Sequence, residues 1–221
     1  MNENYYEQIN PHLLAGLQDT ANQRVLEIGC ASGQLGAAVK EQHPVHWTGI
    51  GLTSEAYNKA KKVLDVAHLA NIETDTLDLE RHSFDRLVLG DVLEHLRDPW
   101  SVLEQLKSYL KPEARVICSL PNINHWSILT GLLAGDFTYQ DQGILDRTHL
   151  RFFTLKEGVA MFQKTGFQVD RVESIEVEHE QMQSVVRQFN SLRNILGIQY
   201  KNFEQEARTY QWLIHARNIS T

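Results

Sequence analysis

Apolar residues in this chain come in short blocks that alternate with amphipathic stretches, and the period changes from block to block. Arg24 to Ile28, "RVLEI", is a compact apolar run closed by glycine, the pattern of a buried strand. "QLGAAVKEQ" after it has helical spacing and good helix formers. The pair recurs as "HWTGI" and "SEAYNKAKKVL", followed by a weaker strand pattern, "VAHLA" (66–70). "FDRLVLG" (84–90) is a clearer strand. Asp98-Pro99 then opens a helix, because Asp98 can cap free N–H groups and proline suits the first helical position. The pattern carries that helix, "WSVLEQLKSYL", as far as Lys111-Pro112. "RVICSL" (115–120) is the next strand, "LKEGVAMFQKTG" a helix ending at Gly166, and "FQVDRVESIEV" and "TYQWLIHAR" (209–217) the last two strands.

Strands alternating with helices at this spacing predict an α/β fold, a doubly wound, mostly parallel seven-stranded sheet with helices on both faces. Ligands of such sheets bind beyond the carboxyl ends of the strands. No internal repeat or linker rich in Pro, Gly or Ser divides the chain, so residues 1–221 are expected to be one domain. Three segments lie outside the alternation. Residues 1–20 predict a helical cover, with an amphipathic helix over 5–18 started or interrupted near Pro11. Residues 121–153, rich in aromatics, Asp and His, predict a lid inserted after the fifth strand. Residues 178–208 predict a helical insertion covering one edge of the sheet.

Composition narrows the function more by exclusion. At 42% hydrophobic and 22% charged residues the chain is an ordinary globular sequence. The net charge of −7 argues against a nucleic-acid partner, which requires a basic face. No apolar run approaches the ~20 residues of a membrane span, and the polar start "MNENYYEQIN" is not a secretory signal. Cys30 and Cys118 lack metal-type spacing, and a cytoplasmic location is expected.

The candidate chemistry begins at "VLEIGCASGQLG", with glycines at 29, 33 and 36 between a strand and a helix. Small residues there let a ligand approach the backbone, and the helix start offers unpaired N–H groups. The dinucleotide fingerprint fails, since position 31 is Ala and position 34 is Gln, and no Walker A sequence follows. An acid, Glu27, stands two residues before the first glycine. This combination resembles motif I of the class I S-adenosylmethionine-dependent methyltransferases, (D/E)-x-G-x-G-x-G, with Ala31 in place of the middle glycine. The blocks "YYEQINPHLL", "SFDRLVLGDVLEHLRDPWSVLEQL", "LPNINHWSIL", "GILDRTHLRFFT" and "TGFQV" extend the resemblance over roughly residues 5 to 170. They are similar to a bacterial methyltransferase family, of type 23 or 11, often found beside glycosyltransferase proteins.

The resemblance implies a Rossmann-like fold and S-adenosylmethionine as cofactor. It places Glu27 and the backbone from Gly29 through Cys30 to Gly33 around the methionine end, and Gly90 and Asp91 by the transferring methyl. The acid that usually bonds the ribose hydroxyls falls on Gly51, beside Leu52. The group that usually reads the adenine amino group falls on Asn71, beside Ile72. Both expected acids are therefore absent. Asn71 keeps an acceptor oxygen, and Thr53, Ser54 or Glu55 could compensate for Gly51.

Methyl transfer to oxygen is helped by a general base. His95, in "GDVLEHL", and His149, in "DRTHLRFF", are the candidates, with Asp146 orienting His149 or pairing with Arg147 or Arg151. The alternative for each is a structural role, holding a loop or the lid. Asp91-x-x-Glu94-His95 also resembles the Glu-x-x-Glu-His of ubiquinone-pathway O-methyltransferases, where a divalent metal can bind. Short acidic–His clusters are far more often hydrogen-bonded structure, and no metal is expected here. His125 and Trp126 stack on an acceptor or anchor the lid, whereas His43, His46 and His179 read as surface or edge residues. The expected activity is O-methylation of a small polar or sugar-type acceptor by a monomer or homodimer. The alternative is a binding or regulatory module that keeps the fold without catalysis.

Overall fold

The computed structural model describes residues 9–219, so the start of the helix expected over 5–18 lies outside the described residues. One sheet contains β1 (Arg24–Ile28), β2 (His46–Gly51), β3 (Val66–Leu69), β4 (Phe84–Gly90), β5 (Leu110–Pro121), β6 (Phe167–Glu176) and β7 (Thr209–Asn218). Their order is β3-β2-β1-β4-β5-β7-β6. The first five pair in parallel, with Glu27 level with Gly49 on one side and Val88 on the other. β7 runs antiparallel to both β5 and β6.

Helices cover both faces, as the alternation predicts. α1 (Pro11–Ala15), α2 (Gln34–Gln42) and α3 (Ser54–Ala60) bury Leu13, Leu35, Val39 and Ala60 against Val25, Trp47, Val88 and Ile117. α4 (Pro99–Lys107) and α6 (Leu155–Lys164) bury Val102, Leu103, Leu106, Met161 and Phe162 against the other face, where Leu26, Leu87, Leu89 and Val116 lie. Alternate residues of β1 and β4 thus enter opposite cores, as a period of two requires. Among the described residues no helix is long and apolar enough to cross a membrane.

Two boundaries differ from the sequence reading. α4 ends at Lys107, not at Pro112, because Ser108 closes its last turn through Oγ to the Gln105 carbonyl. The Tyr109 carbonyl already accepts from Ser83 and Phe84, so β5 starts at Leu110. Pro112 is tolerated there because the register shifts between Phe84 and Arg86, where no regular ladder bond is needed. The expected lid (121–153) contains α5 (Trp126–Leu133) and isolated bridges Asn122–Phe153 and Gln140–Asp146.

The segment expected to cover a sheet edge forms α7 (Met182–Ile195) and α8 (Phe203–Arg208); it packs on the lid, and α8 also lies against β6 and β7. Met182, Val186, Phe203 and Ala207 enclose Trp126 of α5. The chain therefore stays at the carboxyl end of the sheet after β6 and re-enters from there. That is why β7 is reversed, a direction the hydrophobic pattern does not encode.

The β1–α2 turn is the tightest point of this frame. Gly33 has φ +81°, and a Cβ on it would lie 3.2 Å from the Ala60 Cα and 3.0 Å from Leu64 Cγ. Gly33→Ala is expected to destabilise the fold by about 1–3 kcal/mol, read as a lower urea midpoint with an unchanged m-value.

Candidate active site

The glycine loop is built for close approach. Gly29 is left-handed at φ +73°, and a Cβ on it would meet Val92 Cγ2 at 2.6 Å. The Gly29 and Cys30 N–H groups both donate to the Ile50 carbonyl, at 2.8 and 3.1 Å, which folds the loop over β2. Ala31, at the position of the missing glycine, is also left-handed at φ 43°. Gly33 caps α2 without a side chain, so the first-turn N–H groups stay open to a ligand. The buried Ser32 hydroxyl beside them has no hydrogen-bond partner among the described residues. Cys30 is a free, buried thiol pushed up to about 12 by burial and by Glu27, and is therefore unreactive.

Glu27 is 6% exposed, and its Oε2 accepts from Trp47 Nε1 at 2.8 Å. Burial outweighs that bond and raises the carboxyl to about 7. At the end of β2, Gly51 faces open space: a Cβ there would make only ordinary contacts, 3.7 Å to Cys30 Sγ and 4.0 Å to the Ala31 carbonyl. Leu52, 69% exposed, flanks that opening. Thr53 spends its hydroxyl capping α3 through the Ala56 N–H. Asn71 Oδ1 accepts from the Glu73 N–H at 3.0 Å, and the Asn71 N–H donates to Asp75 at 2.8 Å. Its acceptor oxygen is thus already shared with a local turn, and the Ile72 side chain belongs to the core.

Beyond β4 lies the second half of the site. A Cβ on Gly90 would sit 2.8 Å from Leu13 Cδ1, so α1 rests directly on the strand end. Asp91, left-handed at φ 52°, donates its N–H to Ser119 Oγ and accepts at Oδ1 from Gln211 Nε2. Gln211 in turn accepts from Asn10 Nδ2 at 3.1 Å. Burial raises Asp91 to about 6 against those bonds. Glu94, in the 3-10 turn Leu93–His95, is 1% exposed, and neither carboxyl oxygen has a hydrogen-bond partner among the described residues. Burial, then the nearby Asp91 and Asp146, hold it well above the ordinary carboxylate range.

The lid returns to this point. Leu150 and Arg151 donate their N–H groups to the Glu94 carbonyl at 2.8 and 3.0 Å. His149 and His95 meet edge to face with centroids 4.8 Å apart. His149 Nδ1 lies 3.0 Å from the Ile144 carbonyl, so that nitrogen carries the proton, and Nε2 faces Glu94 at 4.0 Å. His95 Nδ1 lies 3.3 Å from the Thr148 carbonyl and 3.1 Å from Thr148 Oγ1, which leaves its Nε2 bare. Both imidazoles are lowered, His95 by burial and then by His149, and His149 by burial.

Asp146 bonds neither histidine. Its Oδ1 accepts from the Thr148 N–H at 2.8 Å and from Thr148 Oγ1 at 2.7 Å. The Arg147 partner is Asp141, and Arg151 bonds the Arg97 carbonyl. The donors that the fold gathers within 4.8 Å are Glu94, His95 and His149, without Asp91 of the Asp91-x-x-Glu94-His95 pattern. His125 is buried against Tyr210, with Nδ1 on Ser127 Oγ and burial lowering the imidazole to about 4. With Trp126 in the α7–α8 core, this pair anchors the lid. His43 bonds Thr20 at the domain edge, and His179 lies against Trp126. Thr148, Ser119 and Gln211 were invisible as site residues in the sequence, because only the fold brings β5, β7 and the lid to Asp91 and His95.

The pH consequence is clearest at Glu27. Its carboxyl is raised in the fold, so the native chain binds more protons than the unfolded one between pH 4.5 and about 7. Stability from this group falls as pH rises through that window and then levels. Glu27→Gln keeps an acceptor for Trp47 and has no charge to bury. Its urea stability is expected to match wild type at pH 5 and to exceed it at pH 8, by on the order of 3 kcal/mol.

Comparison with known proteins agrees with this architecture. A structure titled as a SAM-dependent methyltransferase from Archaeoglobus fulgidus superposes with a TM-score of 0.67 at 16% identity, covering 98% of this chain and 97% of that one. A ubiquinone biosynthesis O-methyltransferase of Neisseria meningitidis serogroup C is 27% identical over 138 residues, 58% of this chain and 58% of that protein. One from Vibrio cholerae is 26% identical over 177 residues, 73% of this chain and 69% of that protein. The chain thus spans under two thirds of the Neisseria relative it matches. Residues 1–172 match the sequence model of a family described as methyltransferase domain, and the chain belongs to that family.

Proposed function

We propose that this chain is an S-adenosylmethionine-dependent O-methyltransferase acting on a hydroxyl of a small polar or sugar-type acceptor of the kind met in glycan assembly. The observation that carries the reading is electrostatic. Glu27, Asp91 and Glu94 line the carboxyl ends of β1 and β4, all raised by burial, and among the described residues no lysine or arginine counters that burial. A site so lined favours a cationic ligand. The ligand suggested by the family carries a sulfonium and an ammonium, and the Ser32 hydroxyl and open α2 N–H groups suit its carboxylate end.

The chain's own part is to position and to take a proton. The glycine loop and Glu27 would hold the methionine end of the cofactor, Gly51, Leu52, Asn71 and Ile72 its nucleoside, and Gly90 and Asp91 would lie by the transferring methyl. Bound there, S-adenosylmethionine supplies the methyl, whose C–S electron pair returns to sulfur as the acceptor oxygen forms the C–O bond. His95 takes the acceptor's hydroxyl proton on Nε2. His149 is less suited, because its Nε2 is turned to buried Glu94. Glu94, His95 and His149 also form a carboxyl–bis-imidazole set of the kind that suits a divalent cation. It would polarise the acceptor oxygen, whereas the imidazole route uses no metal.

Calorimetry is expected to give a dissociation constant for S-adenosylmethionine below ~100 µM, tightening from pH 5.5 to 8 as the carboxyls ionise. Gly51→Glu has room at the β2 end and is expected to tighten binding by roughly ten- to a hundredfold through charge-assisted bonds to the ribose. No heat at millimolar cofactor overturns the reading. The second reading, a binding module without catalysis, is favoured by Gly51 and by the shared Asn71 oxygen. It predicts cofactor binding with no methylated product from a panel of sugar glycosides and phenols. On a methylated acceptor, His95→Gln is expected to lower kcat by roughly 10²–10⁴-fold with cofactor affinity unchanged. EDTA is expected to leave the wild-type rate intact.

A further inference from the structure

The lid carries a feature that neither the motifs nor the family assignment describes. Asp146, Thr148 and His95 form a continuous hydrogen-bonded line: Thr148 Oγ1 donates to Asp146 Oδ1 at 2.7 Å and receives the His95 Nδ1–H at 3.1 Å. The Thr148 carbonyl shares that N–H at 3.3 Å. Asp146 is 3% exposed, and the segment after it is stitched to the turn bearing His95 through the two N–H bonds to the Glu94 carbonyl.

We propose that Thr148, backed by Asp146, is the positioning residue that fixes His95 as the Nδ1–H tautomer with a bare Nε2, so that the base is prepared only when the lid is docked. The proposal rests on His95 being the base of the reaction above. A base with the opposite tautomer would present an N–H, not a lone pair, to the acceptor hydroxyl. When Nε2 takes the acceptor's proton, both ring nitrogens carry hydrogen. The positive charge is then stabilised through Thr148 by the Asp146 carboxylate, and the proton leaves to water after the product.

The charges around His95 agree with this role. Burial alone would raise Asp146, yet the Thr148 bonds, and then the facing His149 and His95, keep its carboxyl below the ordinary range. His149 opposes a charge on His95, whereas Asp146 and the Thr148 carbonyl favour one. Burial, and then Asp91 and Asp146, disfavour a charge on Glu94. Asp146 is thus the group through which the lid acts on His95.

The test needs no acceptor. Long-range ¹H–¹⁵N NMR of the full chain reads the tautomer and titration of His95, assigned by its loss in His95→Gln. The wild-type ring is expected as Nδ1–H. Thr148→Val keeps the shape and the backbone carbonyl, and is expected to lower the His95 pKa by roughly half to one unit. Thr148→Ser is expected to restore it, and Asp146→Asn to lower His95 and His149 together. A wild-type Nε2–H tautomer overturns the proposal without any variant, should Thr148→Val fail to fold. An unmoved His95 in Thr148→Val, or a serine that restores nothing, overturns it equally. An active His95→Gln enzyme would instead remove the base reading, while the tautomer result still judges the Asp146–Thr148–His95 geometry.

Discussion

Parallel pairing is the constraint on which this molecule depends. Once β2, β1, β4 and β5 lie side by side in one direction, every strand delivers its carboxyl end to the same side of the sheet. The turns after those strands must then share one small volume, and helices on both faces keep it dry. Glu27, Asp91 and Glu94 arrive there by topology, with no lysine or arginine among the described residues to neutralise them. Uncompensated burial of this kind costs stability, and it is tolerated where a ligand brings the missing charge.

Much of the frame was legible in the sequence. The strands from "RVLEI" to "TYQWLIHAR" all appear, because buried strands flanked by glycine and amphipathic helices leave strong periodic signals. The errors lie where tertiary contacts decide. Tyr109 and Leu110 have a helical pattern, yet pairing with Phe84 makes them strand. The α7–α8 segment is amphipathic, and no local pattern specifies that Trp126 of the lid packs into it. The reversed direction of β7 follows from that docking.

For the site, the sequence showed residue types but not what they face. Glu94 and His95 are adjacent in the chain, but His149 and Thr148 reach them across more than fifty residues, through the lid. Asp146 looked like a partner for His149, and the short Asx turn to Thr148 claims its oxygen instead. Gly51, which as a letter suggested a lost ligand, is in space an opening bounded by Cys30 and Ala31. The deficit is therefore in bonding power rather than in shape.

The reversed strand has a temporal consequence. β7 is the last strand made, yet it sits between β5 and β6, and its Gln211 holds Asp91 from 120 residues away. During synthesis β6 has no neighbour to pair with until β7 emerges, and the carboxyl side of β5 stays bare. Such long-range pairing slows folding. The site is thus completed by a strand made long after its glycine loop.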